Sequence, residues 1–285
     1  MGANPAKVVA RNAARGWGTA TSSRRPLPEL LVVGAKRGGT TSMFRAIQSH
    51  PQVLGLWPRA QDKKSPHYFD LDYQRGERWY RSHLPTERAR RVPAGAPRRI
   101  VGDASPYYLF HPHAPARIGR DLPDAQLLVL LRDPVDRAFS HHWDRVKNGI
   151  EDLPFDEAVA REDDRLAGEL ERMLADEQYQ SHAYEHFSYL RRGRYAEQLE
   201  RLFAHVDRKR VLVLRSEDFY AQPQASYEEV LAFLGLEHHE PAEFARLHGH
   251  ADKPQVADDL RRSLTDGFQP ANEELARLLG TEVWW

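Results

Sequence analysis

The sequence predicts an α/β fold of three layers, with helices on both faces of a central parallel sheet. Short uninterrupted apolar runs at residues 30–33, 127–131 and 211–214 are rich in Val and Leu, as in parallel strands buried on both faces. Helical periodicity fills the intervals, at 42–49, 134–148, 155–174, 195–205, 226–234 and 258–279, and several of these segments open at Pro or Asp, which suit a first helical turn. The first run ends in a Gly-rich turn leading straight into a helix. In such alternating folds the ligand sits at the carboxyl ends of the strands.

Ahead of the first strand, residues 1–28 scatter Lys7, Arg11, Arg15, Arg24 and Arg25 among Ala, Gly and Ser without good periodicity. They read as a flexible arm, with an arm folded over the ligand site as the alternative. Residues 29–285 form one domain, since 285 residues with 41% hydrophobic content suffice for a sizeable core. The acidic, arginine-laced stretch 162–177 reads as a solvated helical face, against a substrate-facing lid. A formal net charge of +0 gives no global field to attract nucleic acid or an anionic membrane. The absence of cysteine excludes disulfides, thiolate catalysis and cysteine-ligated metals. No apolar run approaches the roughly 20 residues that span a bilayer, and the N-terminus lacks the apolar core of a secretory signal, so a soluble, cytoplasmic protein is expected. Seven of the 41 basic residues are lysine, an arginine bias that suggests a GC-rich bacterial coding sequence.

The segment LLVVGAKRGGTTSMFRAI (30–47) is a phosphate cradle. Backbone N–H groups of the turn and the positive end of the following helix bind an anion, and Gly38 and Gly39 let the backbone approach it. Thr40, Thr41 and Ser42 add hydroxyls at the helix start. Gly34 and Gly39 have the spacing of a nucleoside triphosphate loop, but Thr40 stands where that loop needs lysine. The lysine is Lys36, inside the loop, where it can meet a 5′-phosphate and a leaving oxygen. Arg37 either contacts phosphate or faces solvent.

Together with AQLLVLLRDPVDRAFSHHW (125–143), HYFDLDYQRGERWYRSHLP (67–85), GDASPYYLFHP (102–112), SYLRRGRYAEQLERLF (188–203) and VLVLRSEDFYAQP (211–223), this loop resembles the sulfotransferases, and among them the bacterial relatives of the Golgi heparan-sulfate type. The resemblance runs over about 30–280. It implies a fold like that of the P-loop nucleoside triphosphate hydrolases, a 3′-phosphoadenosine 5′-phosphosulfate donor, adenosine 3′,5′-bisphosphate as product, and no metal. It assigns Arg132 and Ser140 to the 3′-phosphate, and Gly193 and Tyr195 to the nucleotide's surroundings. Lys253, before Pro254, is what remains of a basic loop that reaches the donor.

Heparan-sulfate type members carry a glutamate where this chain has Ser65 and often a lysine where it has Ala104. The general base must then be another residue. If 64–69 is extended, Ser65 and His67 share a face, and an imidazole titrating near neutrality suits deprotonation of a hydroxyl. Asp103 is the next candidate. Lys64, Ser65 and Tyr107 border the expected acceptor site, where Tyr68, Tyr73, Trp79, Tyr80 and Tyr108 either line a cleft or fill the core. The expected reaction moves a sulfuryl group to a hydroxyl, or secondarily an amine, of a carbohydrate, glycolipid or secondary metabolite. Two rivals stand beside it: a kinase-like phosphoryl transferase and a noncatalytic nucleotide-binding protein.

Overall fold

A computed structural model describes residues 5–58, 64–93, 96–241, 244 and 255–285, with side chains from residue 13 onward. Five strands, β1 (Leu30–Gly34), β2 (Val53–Leu54), β3 (Ile100–Ala104), β4 (Gln126–Leu131) and β5 (Val211–Arg215), form one sheet. Its order is β2-β3-β1-β4-β5 and every pairing is parallel. The three apolar runs are β1, β4 and β5. β2 is only a residue pair and β3, IVGDA, mixes Gly and Asp with its apolar residues, so neither carries a strand signal on its own.

In chain order the first helices are α1 (Pro5–Ala20), α2 (Thr40–Ser49), α3 (Glu77–Arg81), α4 (Glu87–Arg90), α5 (Ala114–Asp121), α6 (Pro134–Lys147) and α7 (Phe155–Ala160). They are followed by α8 (Glu162–Leu166), α9 (Glu169–Ala175), α10 (His182–His186), α11 (Tyr195–Phe203), α12 (Ser216–Ala221), α13 (Pro223–Leu234) and α14 (Asp258–Leu279). None of the described helices is long and apolar enough to cross a membrane. β1 shows how the layers form. Side chains alternate across a strand, so Leu31 and Val33 join Ile118, Leu199, Leu202 and Leu275 on the α5–α11–α14 side. Leu30 and Val32 join Phe44, Ile47, Val230 and Leu231 on the α2–α13 side. Burying each such side chain contributes about 1.5–3 kcal/mol, and all five β1 residues are buried.

Two expectations change. The segment 155–174 is three short helices, α7 to α9, broken at Arg161 and at Gly168, whose φ is 72°. Its Glu162 is not solvated: it is 2% exposed and accepts the N–H groups of Leu190 and Arg191 at 2.5 and 2.8 Å. The arm read as flexible contains helix α1, and tertiary contacts supply what periodicity lacks. The buried Arg25 guanidinium lies 4.6 Å from the rings of both Trp17 and Trp57 and donates to the Leu84 carbonyl. Arg15 donates to the carbonyls of Trp57, at 2.6 Å, and Ser82, at 3.3 Å. Gly18 allows the contact, since a Cβ there would lie 2.6 Å from the Ser82 oxygen.

Arg25→Ala removes two cation–π contacts and a buried hydrogen bond, and is expected to lower stability by about 2 kcal/mol. Urea denaturation followed by tryptophan fluorescence reads this as a lower midpoint at unchanged slope. An unchanged midpoint would show that α1 is held by other contacts.

Candidate functional site

The loop after β1 is fixed to the neighbouring strand. Ala35 N–H donates to the Leu130 carbonyl at 2.8 Å, Gly38 N–H to Ala35 at 2.9 Å, and the Ser216 hydroxyl to the Gly38 carbonyl at 2.7 Å. A Cβ on Gly38 would lie 2.4 Å from the Leu130 oxygen, so only glycine fits. Gly39, with φ 85°, turns the chain into α2. The first amides of α2 thus face outward at the carboxyl edge of the sheet, where the chain order switches sides between β1 and β4. Thr40 and Ser42 are buried at 4% exposure. The Thr41 hydroxyl receives the Lys64 ammonium, whose pKa is lowered to about 8 by burial and by the charges of Arg45 and Arg37.

The two cations of the loop diverge onto neighbouring stripes of α6. Arg37 Nε donates to Ser140 Oγ at 3.0 Å and its Nη1 meets Asp144 at 3.4 Å. Lys36, half-buried, lies where the charges of Arg192 and Arg145 reach it. Burial first, then those two charges, press its ammonium well below the usual lysine value, against the pull of Glu185 and Asp144. Arg137, His141 and Arg145 stand at i, i+4 and i+8 on this second stripe, and His141 is depressed by burial and then by the charges of Lys36 and Arg192. Arg192 stacks on Tyr107 and Phe110, at 4.6 and 4.4 Å, and donates to the Glu185 carbonyl at 2.8 Å. Among the described residues, Arg192 Nε and Nη1, Arg145 Nε and both His141 nitrogens are buried without a hydrogen-bond partner. A concentration of this kind is suited to receiving anionic oxygens.

On the other side of Arg37, Arg132 leaves the end of β4 and reaches Asp136 at 3.5 Å, whose second oxygen is held by Arg261 at 2.5 Å. Asp133 caps α6 by accepting the Asp136 N–H at 2.7 Å. Gly193 and Tyr195 do not line this space. Tyr195 is 1% exposed and its hydroxyl donates to the Arg132 carbonyl at 2.7 Å; Gly193 packs where a Cβ would lie 2.8–2.9 Å from Phe268 and Pro134. Tyr195 holds Arg132 from behind, a correction to the nucleotide contact expected of its side chain. Lys253 lies outside the described residues.

Residues 64–69 are not extended. The chain turns at His67, whose φ is 59° and whose N–H is held by Ser65 Oγ at 2.9 Å, so the alternation argument fails although the residue is presented all the same. His67 Nδ1 lies 3.0 Å from Asp70 Oδ2. Asp70 also accepts from Ser105 at 2.7 Å and from Leu71 N–H at 2.8 Å. Its carboxylate is fully buried, whereas the His67 side chain is 46% exposed. With the proton on Nδ1, Nε2 keeps a lone pair toward the open side. Burial lowers the His67 pKa, but the hydrogen bond and charge of Asp70, with the charges of Asp103 and Glu185, outweigh it and raise the value. The charge of Glu185 acts on both Lys36 and His67. Asp70 escaped the sequence reading; its only signal was a carboxylate three residues after a histidine. Arg37 and His67 are also the two non-glycine residues with positive φ in the described chain, a conformation that costs of order 1–3 kcal/mol and concentrates at functional sites.

Asp103 is not available to a ligand. It has no exposed surface and accepts from the hydroxyls of Tyr80 and Tyr108, at 2.8 and 3.1 Å. Tyr107, 5% exposed beneath Arg192, is likewise core rather than cleft, as are Tyr68, Tyr80 and Tyr108. Ser65 bonds Tyr108 at 3.1 Å and ties this buried network to His67. Burial pushes the Asp103 carboxyl up to about 6 despite its hydrogen bonds. Because the folded value lies above the unfolded one, the folded state binds the extra proton, and stability falls as pH rises from about 4 to 6. Asp103→Asn should flatten that slope, worth on the order of 2–3 kcal/mol, in melting temperatures measured between pH 4 and 8. An unchanged slope would assign it to other groups.

A strand–loop–helix anion cradle with a second cationic element one strand away defines a nucleotide-binding transferase architecture. The sulfotransferase domain model matches residues 27–254, and the chain belongs to that family. Mouse heparan sulfate glucosamine 3-O-sulfotransferase 3B1 is 26% identical over 285 residues, covering 92% of this chain and 65% of that protein. The human 3B1 protein is 30% identical over 215 residues, covering 75% of this chain and 48% of that one. The chain thus spans from 48% to 65% of the length of these curated relatives. A crystal structure of a sulfotransferase from Alicyclobacillus acidocaldarius superposes with a TM-score of 0.67 at 29% identity, covering 90% of this chain and 97% of that chain.

Proposed function

We propose that the chain moves the sulfuryl group of 3′-phosphoadenosine 5′-phosphosulfate to a hydroxyl of a carbohydrate, glycolipid or secondary metabolite, with an amine as second choice. The observation that carries this reading is the half-exposed His67 imidazole, oriented by the buried Asp70 carboxylate, in a chain whose first strand ends in a glycine-shaped anion loop. A nucleotide-binding protein without catalysis has no use for an oriented imidazole there. Phosphoryl transfer gains no support either, because Thr40 occupies the position of its essential lysine.

The residues fit the donor at both ends. The glycine-shaped loop and the α2 amides suit the 5′-phosphate; Arg132 and Ser140 suit the 3′-phosphate, with Arg37 connecting the two ends through Ser140. Lys36, with the unpartnered guanidinium nitrogens of Arg145 and Arg192, suits the sulfuryl oxygens and the charge that grows on the departing 5′-phosphate. The acceptor hydroxyl gives its proton to His67 Nε2 while its oxygen bonds to sulfur; the bond from sulfur to the 5′-phosphate breaks, and its electron pair leaves with adenosine 3′,5′-bisphosphate. Asp70 holds the imidazole tautomer and stabilises the imidazolium. The cysteine-free sequence and the nucleotide donor favour the cytoplasm as compartment.

Arg132→Ala is expected to weaken adenosine 3′,5′-bisphosphate binding by about 1.5–3 kcal/mol, the scale of a hydrogen bond to a charged group. Calorimetry should show little change for adenosine 5′-monophosphate; equal losses for the two would remove Arg132 from the 3′-site.

His67→Ala should keep bisphosphate affinity and lower turnover by about 10²–10⁴-fold. In the wild type, kcat/KM rises with pH as the imidazole loses its proton, through a midpoint above the usual histidine value of about 6.5, because Asp70 raises it. Asp70→Asn should move that limb to lower pH while reducing its plateau. A His67→Ala enzyme with wild-type rate and pH profile would sink the assignment.

A further inference from the structure

The formal net charge of +0 hides a strong separation of charge. Residues 75–99 hold eight arginines against two glutamates, whereas residues 151–185 hold twelve carboxylates against three arginines. The basic segment is tied to the start of the chain. Arg81 donates to the Arg25 carbonyl, Arg78 to the Thr19 carbonyl at 3.4 Å, and Arg25 to the Leu84 carbonyl. These bonds join α3 to the short 3₁₀ turn Ser22–Arg24 and to the stretch before α4. At the far end Arg90 donates to the Arg99 carbonyl and Arg99 to the Ala89 carbonyl, both at 3.2 Å, which fastens α4 to the start of β3.

The carboxylates among these segments are already taken. Glu29 receives Arg90 and Arg98, each at 2.6 Å, Asp72 receives Arg75 at 2.7 Å, Glu77 receives Arg81, and Glu87 meets Arg90 at 3.5 Å. Arg24, Arg78, Arg88, Arg91 and Arg99 are left without a carboxylate partner among the described residues, and all but Arg99 are exposed. Trp17, which packs at 4.9 Å against Trp57 and meets Arg25, is 49% exposed, more than any other aromatic residue described. A surface that carried arginine for solubility alone would intersperse the two signs of charge.

We propose that this face docks on an anionic lipid surface, its unpaired arginines meeting headgroup phosphates and Trp17 seated at headgroup level. The guanidinium fork matches phosphate oxygens, and an indole, apolar with one polar edge, settles at the boundary of water and hydrocarbon. Nucleic acid would use the same charges, but a stacking platform needs a free ring face, and the Trp17 ring is engaged by Arg25 and Trp57. None of Lys36, Arg37, Arg132 and Ser140 belongs to these segments, so the proposal stands apart from the sulfuryl-transfer reading.

Co-sedimentation with vesicles of phosphatidylcholine, alone or mixed with phosphatidylglycerol, reads the docking. At about 0.1 M salt the full chain should bind the mixed vesicles and not the neutral ones; at about 1 M salt binding should vanish, as the Debye length falls from about 10 to about 3 Å. Arg24→Gln, Arg88→Gln and Arg91→Gln together should weaken it about a hundredfold, since each arginine at an anionic surface contributes roughly a factor of five. The urea midpoint of that variant should match wild type, which shows that it is folded. Lys209→Gln, Arg262→Gln and Arg277→Gln remove the same charge from other elements and should leave vesicle binding nearly unchanged. Equal binding to both kinds of vesicle, binding to neither, or equal losses in the two triple variants would overturn the proposal. Two further outcomes would overturn it by naming another partner. Binding of a single-stranded oligonucleotide through the same three arginines, without vesicle binding, would assign the face to nucleic acid. Self-association through them, seen by light scattering without vesicles, would assign it to the acidic residues 151–185 of a second copy.

Discussion

The contact on which the rest of the site depends is the approach of the phosphate loop to the Leu130 carbonyl of β4. Ala35 donates to that oxygen, and Gly38 passes so close that any side chain would collide with it. Fixing the loop to β4 also fixes it to whatever follows β4. Arg132 and α6 therefore stand in a set register with the loop, and Arg37 finds Ser140 across 103 residues of chain. Tyr195 reinforces the same register from the opposite layer through the Arg132 carbonyl. A half-ångström displacement at Gly38 would be felt at both ends of a bound nucleotide, because protein interiors transmit strain rather than absorb it.

The site's second half is built on a different principle. Asp70, Asp103, Ser65, Ser105, Tyr80 and Tyr108 form a buried polar network behind one half-exposed imidazole. In a low-dielectric interior such bonds are stronger and their loss more costly. The network gives His67 a defined tautomer and an unusual backbone conformation at the same time. Ser65 takes part in that network and, by accepting the His67 N–H, anchors the turn that presents the imidazole.

What was legible in the sequence was local. The glycine spacing of the loop, the Val- and Leu-rich strands and the Asp-Pro start of α6 each specify structure within a few residues, and β1, β4, β5 and the α2 cradle follow from them. Long-range information was not legible. β3 is a strand because it is sandwiched between β1 and β2, not because of IVGDA itself, and α1 is fixed by an arginine held between tryptophans 40 residues apart. His67 shows the difference most sharply: the residue was identified through an assumed extended backbone, whereas it is presented by a turn whose geometry comes from Ser65, Asp70 and Ser105. Tyr195 erred the other way, since proximity to the nucleotide segment did not disclose that its hydroxyl faces the backbone.

α6 carries Ser140 and Asp144 on one stripe and Arg137, His141 and Arg145 on the next, about 80° around its axis by the roughly 100° step of a helix. The helix is in effect a keyed shaft, with one key for each loop cation. A rotation by one stripe would bring the positive stripe under Arg37 in place of Asp144, exchanging attraction for repulsion there. Two buried bonds resist that rotation: Arg137 to the Tyr189 carbonyl and His142 to the Leu153 carbonyl. Substitutions at Tyr189 or Leu153, neither of which meets the loop, could therefore alter donor handling by letting the shaft slip.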